Sequence, residues 1–219
     1  MKTNPDRSLK SLNMKWLVML AVFDMLVVLL FVVPDVINTT TISQLTIARA
    51  CAATVLPVFV LLLTGLLSHD IKAMLVYWKT TDVLPGSRAF TKYAPDDARI
   101  DMAALKKNVG VLPTEPAEQN SKWFKLYKMV ANDPTVVEAH KMYLLYRDMA
   151  AMSLPLIALV PLALYFIGAN TAALLIAGGL FLLQFIATAL GARLSGVRFV
   201  CNVLAIHSAT KVMAPKAER

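Results

Sequence analysis

Four long runs of apolar residues constrain this chain more than anything else in it: about Met14–Val36, Ile42–Ser68, Met152–Ile167 and Thr171–Ala192. Each approaches or exceeds the ~18 residues with which an α-helix crosses hydrocarbon. The third is the shortest, and the helical pattern before it lengthens it. A buried soluble core accounts for one such run, not for four. Only 16% of the residues are charged and 58% are hydrophobic, where soluble domains carry about 25% charge. The expected fold is all-α: a four-transmembrane-helix bundle of two hairpins, with a small helical cytosolic unit between helices 2 and 3.

Charge placement orients that bundle. The formal net charge is +8, yet its distribution argues against a nucleic-acid partner. Lys2, Arg7, Lys10 and Lys15 precede the first run or open it, and Arg193, Arg198, Lys211, Lys216 and Arg219 follow the last. Twelve Lys or Arg lie between His69 and Ala150, against ten acids, which leaves no basic stripe for a nucleic-acid groove. The segments expected outside, Pro34 to about Thr41 and Gly168 to Asn170, carry none. This is the positive-inside pattern, with both termini and the middle of the chain cytosolic. The surplus charge reads as topology and contact with anionic lipid. The first run has a longer apolar stretch than a signal core and no small-x-small site before Pro34, so it is expected to remain as a spanning helix.

The division follows: a cytosolic arm at 1–13 with a turn at Asn4-Pro5-Asp6, a first hairpin at 14–68, a cytosolic helical unit at 69–150, a second hairpin at 151–192, and a cytosolic amphipathic tail at 193–219 that frays from Ala214. Pro34 and Asp35 are expected to stop the first helix. Asp24 lies inside that helix, and a carboxylate in hydrocarbon must face other helices or water. It is either a proton or cation site or a hydrogen-bonded group that joins helices. Arg49 sits near the outer end of an antiparallel partner and is expected to snorkel outward rather than pair with it. Gln184 counts back to nearly the same depth as Asp24, roughly 12–15 Å from the inner end at ~1.5 Å per residue. The two are expected to share a polar layer, within one subunit or across an oligomer interface. Pro57, Pro155 and Pro161 mark helix kinks. Small residues in the fourth run, with Ala187 and Gly191 continuing to Ser195, suit close helix approach and self-association.

Helical spacing after Ser68 through Ile71, Met74, Leu75 and Trp78 predicts that the second helix projects into the cytosol until Thr80, Thr81 and Leu84-Pro85-Gly86 end it. Asp101 is the expected N-cap of a helix over Met102 to Val109, with Gly110 past its end. Thr114 is expected to cap a helix from Glu115-Pro116 to about Val130, its face made by Trp123, Leu126, Tyr127 and Val130. Asp133-Pro134 starts a third helix that meets no stop signal before Pro155, so it should enter the membrane uninterrupted. After Arg193, the spacing of Leu194, Val197, Val200 or Cys201, and Leu204 suggests an amphipathic helix along the inner surface or under the central unit.

The ordered motifs Leu84-Pro-Gly-Ser-Arg-Ala-Phe90, Asp97-Ala-Arg-Ile-Asp101, Leu112-Pro-Thr-Glu-Pro116 with Gln119-Asn120, Trp123-x-x-Leu-Tyr127 and Tyr143 to Asp148 resemble those of a family of uncharacterised bacterial multi-pass membrane proteins. There a segment of this kind joins two transmembrane hairpins. The resemblance covers about residues 75–150 and implies a bacterial inner-membrane setting, among small membrane components of anti-phage or stress systems. It implies no reaction and no ligand.

Chemistry-bearing clusters are sparse. Arg88, Arg99 and Arg147, with the amides of Pro85-Gly86, form a candidate cytosolic site for a phosphate or a partner's carboxylate. The competing assignment pairs them with Asp96, Asp97, Asp101 and Asp148. His69, His140 and His207 lack metal spacing, Cys51 and Cys201 fall too far apart to pair, and no nucleophile elbow, Walker loop or dinucleotide fingerprint occurs. No metal, cofactor or enzymatic activity is expected. The leading expectation is a homo-oligomeric, signal-responsive membrane effector, pore-forming or membrane-perturbing. The other is a membrane anchor whose 79–150 unit docks a soluble cytosolic protein.

Overall fold

A computed structural model describes the backbone of residues 9–38 and 44–209, and the side chains of residues 12–33 and 47–209. The Asn4-Pro5-Asp6 turn and the tail from Ala214 lie outside the described residues, as do residues 39–41 of the outer segment. The elements in chain order are α1 (Leu9–Asn38), α2 (Gln44–Thr64), α3 (His69–Tyr77), a 3-10 turn (Pro85–Arg88), a π turn (Ala89–Tyr93), α4 (Ala94–Asp96), α5 (Met102–Val109), α6 (Pro116–Met129), α7 (Pro134–Ile167) and α8 (Thr171–Ala209). No strand occurs among the described residues. Helices α1, α2, α7 and α8 are long and apolar enough to cross a membrane. The chain is a multi-pass helical membrane protein with a short helical segment between its second and third spanning helices.

Two compact units emerge. The first contains Met1–Trp78 and Leu144–Ala192, and is the spanning bundle. Its core is a stack of Val28, Val32, Ala53, Val60, Leu156, Val160, Leu164, Ala177 and Phe181. Outward it presents Leu30, Leu62, Leu66 and Leu175, each more than two-thirds exposed. Water would penalise that surface and lipid does not. A second cluster, of Val76, Ala150, Phe185, Ala189 and Ala192, packs α3 to α7 and α8. Gly191 belongs here: a Cβ on it would lie 3.0 Å from the Tyr146 ring, so the glycine sets how closely the two helices approach.

The second unit contains Lys79–Tyr143 and Arg193–Arg219. It has its own core, in which Phe90, Tyr93, Leu105, Trp123, Leu126 and Val136 pack with Phe199, Val200, Val203 and Leu204 of α8. The stretch after Arg193 is therefore part of this unit's interior. Asn108 Nδ2 donates to the His207 carbonyl at 2.8 Å, and His207 Nε2 lies 3.0 Å from the Leu126 carbonyl, which ties the end of α8 to α5 and α6.

Several local expectations are corrected. Proline at 34 does not end α1, whose backbone stays helical to Asn38. So near a terminus a proline removes one hydrogen bond without stopping the turn. Helix α2 does not run on past Thr64. Its last residues tighten into i→i+3 bonds from Gly65, Leu66 and Leu67, and Ser68 restarts the chain as N-cap of α3, its hydroxyl accepting from the Ile71 amide at 3.3 Å. Trp78, in the left-handed region at φ 52°, ends α3 before Thr80 is reached. Thr114 is not the cap of α6; Glu115 occupies that position, and the Thr114 carbonyl instead accepts from Gln119 Nε2 at 2.7 Å.

Other local signals act as read. Asp101 Oδ1 accepts from the amides of Ala103 and Ala104 at 2.8 and 3.0 Å, and Gly110 closes α5 at φ 79°. Asp133 Oδ1 accepts from the Thr135 amide at 2.9 Å, and α7 then continues without a break through Pro155 and Pro161 to Ile167. The carbonyl freed by Pro161 is that of Ile157, and it faces Gly178, where a Cβ would stand 3.7 Å from that oxygen and 3.4 Å from the Pro161 ring. Both distances are ordinary van der Waals contacts, so the close packing of α8 on the proline site does not itself demand glycine.

Candidate functional site: a buried polar cluster in the bundle

Within the first unit, α1, α7 and α8 bring three polar side chains together among apolar neighbours. Gln184 Nε2 donates to Asp24 Oδ2 at 3.3 Å and to Ser153 Oγ at 3.0 Å. Ser153 Oγ itself donates to the Met149 carbonyl at 2.9 Å, and Thr188 donates to the Gln184 carbonyl at 2.7 Å. Asp24 and Ser153 are fully buried. Both protons of the Gln184 amide are committed, and among the described residues Asp24 Oδ1 has no hydrogen-bond partner. Among the described residues no Lys or Arg pairs with Asp24. An orphan carboxyl oxygen at full burial is an acceptor for a proton, a cation or a water.

Arg49 does not approach Asp24. Its Nη1 donates to the Phe166 carbonyl at 3.1 Å, one of the unsatisfied carbonyls at the C-terminal end of α7, where a cation complements the helix dipole. Pro57, Pro155 and Pro161 all lie inside unbroken helices.

The three arginines of the second candidate site divide between the two units, Arg147 in the first and Arg88 and Arg99 in the second. Arg147 is buried in the first unit and bonds Asp148 Oδ1 from Nε at 3.3 Å and Nη2 at 3.1 Å, while Lys72 of α3 reaches the same oxygen at 3.2 Å. Adjacent helix positions rarely face each other, so only the length of the guanidinium arm permits the first of these pairs. Arg99 belongs to the second unit and grips Asp97 with Nε to Oδ1 at 3.0 Å and Nη2 to Oδ2 at 2.7 Å, its Nη1 donating to Asn202 Oδ1 at 3.0 Å. Among the described residues Arg88 holds only the Asp82 carbonyl, at 3.4 Å. No amide cradle opens beside it, because Gly86 is buried under α6 against Asn120 and Trp123.

The Arg99 fork holds the Asp97 carboxyl down at about 2, from an ordinary 3.8. A depressed carboxyl contributes stability that is present above the unfolded value and lost as pH falls through the folded one. Second-unit stability is therefore expected to decline from about pH 4 to pH 2 less steeply in Asp97→Asn than in the native chain. Circular dichroism of denaturant unfolding at the two pH values checks this. The difference is small, since the Arg99 side chain is 56% exposed.

Two polar residues carry structure that the sequence pattern did not flag. Gln119 is buried on the core face of α6, its Oε1 accepting from the amides of Phe90 and Thr91 at 3.0 and 3.2 Å. It holds the π turn by its backbone, a role that its place in the Gln119-Asn120 motif did not indicate and that only its register with Trp123 and Leu126 hints at. Lys72 is likewise buried on an amphipathic pattern that reads as surface. Among the described residues no group of three metal-ligating side chains occurs. Comparison with family models, curated proteins and solved structures returns no match.

Proposed function

We propose that this protein is a non-enzymatic effector of the bacterial inner membrane, with its termini and second unit cytosolic, that self-associates and perturbs or opens the membrane in response to a cytosolic signal. Its partners are the lipid bilayer and further copies of itself, and anti-phage defence is the setting the motif resemblance favours. One observation carries the reading. Gln184, which bonds the buried Asp24, stands on α8, and Ser153, which bonds Gln184, stands on α7; these same unbroken helices supply Val136, Ala139, Phe199 and Leu204 to the core of the second unit. A signal that repacks the second unit therefore acts on helices that carry the polar cluster. Parting those helices exposes the Asp24 carboxyl to water or ions.

A second reading, an anchor that docks a soluble protein, is favoured by the exposed Val111, Phe124 and Met129 on the second unit. Membrane potential in cells expressing the native chain, Asp24→Leu and Arg88→Ala at matched membrane levels separates the two. The effector reading expects depolarisation by the native chain and by Arg88→Ala, with about a tenfold smaller ion flux for Asp24→Leu, equivalent to ~1.4 kcal/mol on the path. Absence of depolarisation by the native chain, both in resting cells and in cells under phage or envelope stress, overturns it. Loss through Arg88→Ala alone transfers the assignment to docking.

A further inference from the structure

The second unit contains a small polar cavity, lined in part by Asn202, the partner of Arg99 described above. Its walls are two helical stripes: Thr135, Glu138, Ala139 and Met142 from α7, and Ser195, Arg198 and Asn202 from α8. The spacings i, i+3, i+4, i+7 and i, i+3, i+7 put each set on one helix face. The cavity measures about 120 Å³, roughly the share of liquid volume taken by four waters at ~30 Å³ each.

Three features make this a built site. Glu138 and Arg198 contribute opposite charges from opposing helices, yet no ion pair or hydrogen bond engages either of them among the described residues. Each is left to find its counter-charge elsewhere. Ser195 is nine-tenths buried, and among the described residues its hydroxyl has no protein partner. Thr64, Ser153, Thr188 and Ser208, by contrast, each fold the hydroxyl back onto a carbonyl of their own helix. Asn202 is fixed at both ends of its amide, Oδ1 by Arg99 and Nδ2 by the Thr135 carbonyl at 3.0 Å, which leaves its second amide proton uncommitted.

We infer that this cavity binds a small zwitterion, a molecule of the size and charge pattern of a short α-amino acid. Its carboxylate takes the Arg198 guanidinium and its ammonium group takes Glu138. The Ser195 hydroxyl and the free Asn202 proton supply neutral hydrogen bonds between them. The two charges on the walls are the reason for a ligand that carries both signs: an anion alone leaves Glu138 facing like charge, and a cation alone does the same to Arg198. Arg99 is a positioning residue here, since it orients Asn202 and does not line the cavity. The inference stands apart from the membrane-effector reading, because it concerns binding by the second unit whatever the bundle does.

Calorimetric titration of the purified full-length protein in detergent tests it, with glycine, L-alanine and L-serine as separate probes and acetate and methylammonium as single-charge controls. The expected result is saturable binding of at least one amino acid, at least about tenfold tighter than either control. Glu138→Gln and Arg198→Gln should each weaken it about tenfold or more, in line with loss of a charge-assisted hydrogen bond. Both positions are exposed, so the variants are expected to fold, and an unchanged helical signal verifies it. Ser195→Ala should weaken binding by a smaller factor. Three results each overturn the inference: no saturable binding of any of the three amino acids, affinity unchanged in both charge variants, or acetate binding as tightly as the amino acids.

Discussion

Asp148→Asn is expected to destabilise the spanning bundle by about 3 kcal/mol or more, the usual cost of removing one partner from a buried charge pair. Lys72, Arg147 and Asp148 have side chains only 5%, 6% and 7% exposed, and both cations converge on the same carboxylate oxygen. An asparagine there keeps the shape and removes the charge that offsets two buried cations. Lys72→Met is the informative companion. It leaves Arg147 paired with Asp148, so it should cost clearly less than Asp148→Asn although it removes a longer side chain. Detergent-titrated unfolding, followed by helical signal, measures both. Equal losses in the two variants would mean that packing, not charge, governs this site.

The second large effect is expected at Gly86. A Cβ on this residue would stand 2.7 Å from Trp123 Cε3 and closer still to the Asn120 side chain. Trp123 has little room to yield, because its ring is stacked on Tyr127 at 5.8 Å and edge-on to Phe199 at 5.1 Å. Gly86→Ala should therefore destabilise the second unit by about 1–3 kcal/mol, the range for overpacking a filled core. Gly179→Ala is the control: nothing lies within 4 Å of its added Cβ, and an exposed helical glycine gains rather than loses by acquiring one. Limited proteolysis across 79–143 reports the loss. A native-like cleavage rate in Gly86→Ala would show that the 3-10 turn can lift away from α6 at little cost.

Gly86 also illustrates what a linear pattern hides. Pro85-Gly86 reads as a turn, and the turn is there as a 3-10 segment. The reason for glycine rather than another turn residue lies 34 and 37 positions further on, in Asn120 and Trp123. The arginines behave alike. Their chemistry is plain in the sequence, but Arg99 spends its donors on Asp97 and Asn202 and Arg147 spends donors on Asp148, so neither presents an unengaged fork. The Asp24–Gln184 contact was within reach of counting, because helix rise per residue is nearly invariant and equal counts from one face put two residues at one depth. Ser153, the third member, carried no such mark: a serine in an apolar helix ordinarily satisfies itself on its own backbone.

What the amino-acid sequence determined by itself is the helical architecture. Four runs of that length and apolarity admit one solution in a bilayer, since backbone polar groups there must be satisfied within the segment. The caps at Asp101 and Asp133 are equally local, each a side chain bonding an amide two or three residues ahead. What only the tertiary structure decided is where α2 gives way to α3, which charges are buried, and that the end of α8 lies in the core with Phe90 and Trp123. The last two outcomes depend on partners tens to more than a hundred residues distant, such as Lys72 with Asp148, Arg99 with Asn202 and Asn108 with His207. Periodicity shows which face of a helix is apolar. The helix that covers that face is selected by packing.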